Sequence, residues 1–255
     1  MIPPVEGLAA FGPATVAALL LAAYLLVGEP VAGLVLHRRF EAALTRDRTA
    51  RRWLYHRLLL LEWGLVALVA GVVLLAPGVG WAELGLRWPD RAPGALAVGL
   101  TIGVLGVLVL STRTVRGSRR RAVDTDVPPL PVPASPSVIA LVPRTVPERR
   151  LFVGVALTAG FCEEVLYRGF LLAVGAALAP SAPDWALVIL AGAVFGVVHA
   201  YQGRVGILAT GVLGAVLAVL YLDSGSLLLP IAVHALIDLR ILLLPISVLA
   251  PDEDR

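Results

Sequence analysis

The sequence predicts an all-α fold: a polytopic transmembrane helix bundle of about seven spans (six to eight), with the ionisable groups, and so the chemistry, on a C-terminal four-helix unit. Three observations lead there. Apolar residues make up 58% of the 255 and charged residues only 15%, with a mean hydropathy of +0.88. Soluble domains sit near 45–50% apolar and about 25% charged, so too little polar material remains here to cover a water-facing surface. Second, apolar stretches of about 20 residues, the length that crosses about 30 Å of hydrocarbon, recur along the chain. Third, all 21 basic residues are arginine and gather in particular intervening segments, which in a membrane protein is a topology signal before it is a nucleic-acid signal. The composition disfavours a soluble globule, and a disordered chain, collagen and a disulfide scaffold are excluded. The single Cys162 can form neither an internal disulfide nor a cysteine metal site.

The spans follow in order. Gly7 to Gly28 is the first; Glu29-Pro30 interrupts it and Val31 to Leu36 extends it. No basic segment precedes it and the arginines follow it, so it reads as a retained helix with its N-terminus outside rather than as a signal peptide. Leu58 to Ala76 is the second, with Glu62 inside it, and Ala92 to Ser111 is the third, free of charge. Leu151 to Leu178 is the fourth and carries Glu163, Glu164 and Arg168. Trp185 to Gln202 is the fifth, with His199 near its end, and Val205 to Leu222 is the sixth. Leu227 to about Leu249 is the seventh, with His234, Asp238 and Arg240.

Segment charge sets the expected orientation. Residues 37–57 hold seven arginines against two acids, residues 112–150 eight against three, and residues 77–91 two of each. The two arginine-rich segments fall on one side if the spans alternate, and that side is the cytoplasm. The chain is thus expected to be a multi-pass cell-membrane protein with its N-terminus outside and its C-terminus cytoplasmic. Seven prolines between Asp124 and Pro147 argue against a regular helix there. They divide the chain into an N-terminal transmembrane unit of three spans (1–123), a Pro-rich cytoplasmic linker (124–150), a catalytic transmembrane unit of four spans (151–250) and a tail (251–255).

A charge at the bilayer centre costs several kcal/mol unless it has a partner, a hydrated cavity or a proton. Three helices of the second unit carry such groups. Glu164 and Arg168 are spaced i, i+4 and form an economical ion pair. Glu163, about 100° further round, is left to hold a proton or a water, which suits a general base or acid. Phe195 and His199 are spaced i, i+4, as are His234 and Asp238. A glutamate with one histidine can polarise a water for attack on a carbonyl, and the second histidine can donate to the oxyanion. Two histidines and a carboxylate are equally a zinc set. The spacing does not choose between these. There is no His-Glu-x-x-His pair and no Gly-x-Ser-x-Gly.

Glu163-Glu164-x-x-x-Arg168, Phe195-x-x-x-His199 and His234-x-x-x-Asp238, in that order and each in its own apolar stretch, resemble the three-motif signature of the CPBP family, the CAAX-protease and bacteriocin-processing (Abi) intramembrane endopeptidases. The resemblance spans roughly residues 151–249. It implies that Glu163 and His199 activate water, that His234 and residue 238 hold the oxyanion, and that Glu164, Arg168 and Phe195 support them. The family's third motif most often ends in Asn. An ionised Asp238 cannot donate to an oxyanion, so it orients His234, is protonated, or binds a metal. The family has been described both as metallo- and as metal-independent glutamate proteases, so the cofactor is unknown: either a divalent metal such as zinc, held by Glu163, His199 and His234, or none. The implied partners are a peptide or protein substrate at the membrane and the lipid bilayer, with no nucleic acid. Two other functions are compatible with the same groups: a proton- or ion-coupled transporter, and a non-catalytic immunity-type membrane protein.

The remaining polar and aromatic residues are assigned to structure. Glu29 and Glu62 have no partner in sequence and are expected to snorkel or to hydrogen-bond between helices. The five tryptophans are expected at span ends, His37 and His56 in solvent, and Gly192 and Gly196 at a close helix contact. One depth does not fit: His199 falls about 5 Å from the cytoplasmic end of its span and Glu163 roughly 20 Å from the end of its own, unless the fourth helix starts near Val146 or the fifth continues into the 201–204 turn.

Overall fold

The computed structural model describes residues 7–125 and 136–244; residues 245–249 of the seventh stretch, the 251–255 tail and the core of the Pro-rich segment lie outside the described residues. The described residues form eight helices and no strand. We number them α1 (Leu8–Leu44), α2 (Ala50–Leu75), α3 (Ala95–Thr125), α4 (Pro136–Leu141), α5 (residues 146–178), α6 (Asp184–Val198), α7 (Gly203–Ser224) and α8 (Leu228–Leu239), the last continued by a 3-10 turn at Arg240–Leu243. Four segments, Leu8–Leu44, Ala50–Leu75, Ala95–Gly117 and Ala200–Ser224, are long and apolar enough to cross a membrane. Large apolar side chains such as Leu20, Leu60, Leu74, Val205 and Leu208 point outward. Unpartnered apolar surface on that scale fits lipid rather than water. The chain is a polytopic helical membrane bundle.

Several boundaries depart from the sequence expectation. Glu29-Pro30 does not break α1. A π-helical turn at Tyr24–Gly28 stands immediately before Pro30 and lets the helix run on to Leu44, since the extra residue in the turn relieves the clash of the proline ring with the preceding carbonyls. The arginine-rich segment 37–57 is accordingly two helix ends joined by a turn at 45–49. There Asp47 accepts from Thr49 N (2.7 Å) and Thr49 Oγ1 (2.8 Å), and these bonds hold its carboxyl below the usual carboxylate range. α3 continues to Thr125, and α4 sits inside the expected linker. Pro136 is compatible with α4 because it is the first helical residue, where its missing N–H has no intrahelical partner to lose.

α5 begins at Val146, ahead of the apolar stretch, under a capping box in which Thr145 and Glu148 satisfy each other's backbone N–H groups. α6 is short. Fifteen residues rise about 22 Å, less than the hydrocarbon thickness. His199 therefore stands at a helix end that stops inside the bundle, and the chain turns through Ala200–Gln202 into α7. These two facts remove the depth mismatch.

On the side opposite the arginine-rich turns, residues 76–94 are tied to the α7–α8 turn. Leu227 N donates to Gly85 O (2.8 Å), Asp90 N to Ser224 O (3.1 Å) and Arg87 Nε to Gly225 O (3.0 Å). Gly225 caps α7 in the left-handed region (φ +70), and a Cβ there would meet Asp90 Oδ2 at 2.7 Å.

Candidate active site

Helix packing brings the three motifs together. Gly160 on α5 lies against α8 so closely that a Cβ would stand 2.9 Å from Ala235 N. This crossing sets His234 of α8 opposite Glu163 and Glu164. Immediately after Glu163 the α-helix changes to a π-helix, Glu164–Leu171. More residues per turn narrow the angle between successive side chains, so the two neighbouring glutamates both turn inward; π segments of this kind are frequent at functional sites. On α6, Gly192 and Gly196 pack against Gly211 and Ile207 of α7, with no contact towards Glu163.

The ion pair expected from spacing is present: Arg168 Nη1 donates to Glu164 Oε1 at 2.9 Å, both side chains fully buried. The guanidinium also donates to Gly214 O (3.3 Å) and lies 4.0 Å above the Phe195 ring. The same Glu164 oxygen takes His234 Nδ1 at 2.7 Å. The orienting partner of His234 is therefore Glu164. Asp238 Oδ2 stands 3.9 Å from His234 Nε2, beyond a hydrogen bond, so the helical spacing of His234 and Asp238 does not give the local pair.

His199 Nδ1 lies 2.8 Å from Phe195 O. A carbonyl only accepts, so Nδ1 carries the proton and Nε2 is left as acceptor. Nε2 is 4.0 Å from Glu163 Oε2, and His234 Nε2 is 3.8 Å from the same oxygen. Glu163, His199, His234 and Asp238 thus line one cavity of about 720 Å³. It extends past Tyr55 and Leu141 towards the end of the bundle that carries the arginine-rich 45–49 turn.

The donors do not gather as a metal set. Two ligands on one tetrahedral zinc at about 2.0–2.1 Å stand roughly 3.4 Å apart. The two imidazole nitrogens here lie 3.8 and 4.0 Å from the glutamate oxygen, and among the described residues no group of three or more His, Cys, Asp or Glu could hold a metal ion. The chemistry below is derived from the side chains alone.

Four further residues belong to this environment. Glu62 of α2 lines the cavity together with Glu163. The sequence signal was an acid in the middle of an apolar stretch, and only the packing of α2 on α5 brings it to the site. Trp63 is not at a span end. It stacks on Phe161 (ring centroids 5.6 Å apart) and donates to Thr158 Oγ1 at 3.2 Å. His37 is buried rather than solvated, stacked on Tyr201 with centroids 4.8 Å apart. Arg240 donates to Ile237 O and lines the cavity.

Buried carboxyls, imidazoles and a guanidinium thus converge from separate helices on one cavity. Residues 146–240, less than half of the chain, match the family model "type II CAAX prenyl endopeptidase Rce1-like". No curated protein and no solved structure matches the chain. The family is one of peptidases acting on peptide or protein substrates at the membrane.

Proposed function

We propose that the protein is an intramembrane endopeptidase in which Glu163 and His199 activate a water for attack on a peptide carbonyl. The observation that carries this is the 4.0 Å gap between Glu163 Oε2 and His199 Nε2, which one water can bridge with hydrogen bonds of about 2.8 Å to each. Glu163 takes the water proton while His199 Nε2 accepts the second hydrogen and aims the oxygen. The hydroxide adds to the carbonyl carbon. His234, with Nδ1 fixed on Glu164, presents Nε2–H to the oxyanion. The protonated Glu163 then gives its proton to the leaving nitrogen as the C–N bond breaks, leaving a carboxylic acid and an amine, which ionise to carboxylate and ammonium on release.

We place this site in a chain of seven spans with the N-terminus outside, the arginine-rich turns and the C-terminus cytoplasmic, and the cavity opening to the cytoplasmic half of the membrane. The division into a three-span unit, a linker and a four-span catalytic unit is part of the same proposal. The test is purified protein in detergent incubated with a peptide library, with and without a chelator. Cleavage that persists with chelator and disappears in Glu163→Gln is expected. Cleavage unaffected by Glu163→Gln rejects the mechanism. Ion-coupled flux in vesicles that depends on the same residues, without cleavage, replaces it with transport.

A further inference from the structure

His199 stands where α6 has already ended. Its backbone (φ −91, ψ 20) has left the helical range, and the turn that follows, Ala200–Gln202, holds no buried residue. A residue at such a frayed end is poorly fixed by its backbone alone, so the direction of the imidazole comes from the rings around it. Phe195, buried and anchored by the Arg168 guanidinium 4.0 Å above it, lies 4.6 Å from the His199 ring. Tyr201 lies 5.8 Å from it, inside the same turn. The ring that holds Tyr201 is His37 of α1, stacked on it at 4.8 Å with the planes 30° apart. His37 is buried and is anchored in its turn: Nε2 donates to Glu41 Oε1 (3.1 Å), and the same oxygen accepts from Ser137 Oγ of α4 (2.8 Å). A row of rings therefore runs from α1 through Tyr201 and His199 to Phe195. Offset and tilted ring contacts at these distances carry geometric preference beyond filling space.

We propose that Tyr201 and His37 are positioning residues for His199. Their stack clamps the turn after α6, so that His199 Nδ1 stays on Phe195 O (2.8 Å) and Nε2 faces Glu163. α1 lies outside residues 146–240, the part of the chain that matches the family model, yet it completes the site through His37. The role in turnover rests on the endopeptidase mechanism above; the hold on the imidazole does not.

The chain has four histidines, few enough for NMR of the full-length protein with isotope-labelled histidine to resolve each ring. In the parent, His199 should show a single tautomer, protonated at Nδ1. Tyr201→Ala and His37→Ala should turn that signal into a tautomer mixture, whereas Tyr201→Phe and His37→Phe, which keep a ring in place, should preserve it. An unchanged His199 signal in the alanine variants overturns the proposal, whatever their activity. In turnover, each alanine variant should lower kcat about 10–100-fold, with KM and melting temperature nearly unchanged. The phenylalanine variants should recover most of that loss, and the two alanine losses should not add, since both act through one stack. Phenylalanine variants as slow as the alanine ones, or fully active alanine variants, reject the positioning role. A tautomer change on Tyr201→Ala in a protein that cleaves no peptide sinks the endopeptidase mechanism and leaves the hold on His199 standing.

Discussion

Glu164 and His234, 70 residues apart, meet at 2.7 Å through a carboxylate oxygen that Arg168 holds from the other side at 2.9 Å. One atom therefore couples the α5 ion pair to the α8 imidazole. It fixes which His234 nitrogen is occupied and which faces the cavity. The geometry makes Glu164 as decisive for the site as Glu163, although it never points at the substrate.

Removing that acid should unfold or loosen the protein. Glu164→Ala leaves a fully buried guanidinium without its counter-charge, a loss of about 3–5 kcal/mol. Glu164→Gln keeps an acceptor and should fold, with kcat lowered because His234 is held less firmly. Thermal unfolding in detergent alongside turnover separates the two effects. Equal stability of the alanine variant and the parent would contradict the triad.

The proposed water activation predicts that Glu163→Gln and His199→Ala each lower kcat/KM by about 10²–10⁴ with melting temperature nearly unchanged. The two losses should not add, because the proposal has both groups act on one water. A double variant much worse than either single one would show that the groups work separately.

Asp238 stands 3.9 Å from His234 Nε2 and does not orient it. An amide at this position could donate to the oxyanion where an ionised carboxylate cannot. Asp238→Asn should therefore keep or raise kcat, whereas Asp238→Leu, which supplies no donor, should fall below the asparagine variant. Measuring both variants on one peptide decides the matter; a dead asparagine variant would mean that the carboxylate itself is required.

Gly160 sets the α5–α8 crossing, with Ala235 backbone atoms 2.9–3.0 Å from where a Cβ would be. Gly160→Val should cost about 1–3 kcal/mol of stability through overpacking and move His234 off Glu164, lowering kcat more than KM rises. Substituting Gly154, which meets nothing within 4 Å, is the control.

Much of this was legible from one sequence because burying charge in lipid is so unfavourable that each ionisable group in an apolar stretch marks a place where helices meet. The motifs on α5, α6 and α8, and the Glu164–Arg168 pair, followed from spacing along single helices. What spacing could not give was anything between helices: the Glu164–His234 bond, the arrival of Glu62 in the same cavity as Glu163, Trp63 on Phe161, and the burial of His37 under Tyr201. Nor does helical periodicity report a change of helix type. The π-turns at Tyr24–Gly28 and Glu164–Leu171 arise from proline relief and from packing, and neither leaves a period of its own.

The truncated α6 has a consequence for the surrounding lipid. Fifteen residues rise about 22 Å, less than the roughly 30 Å of hydrocarbon, so the proposed hydrolysis predicts that local thinning beside α6 supplies its water and that turnover varies with acyl-chain length.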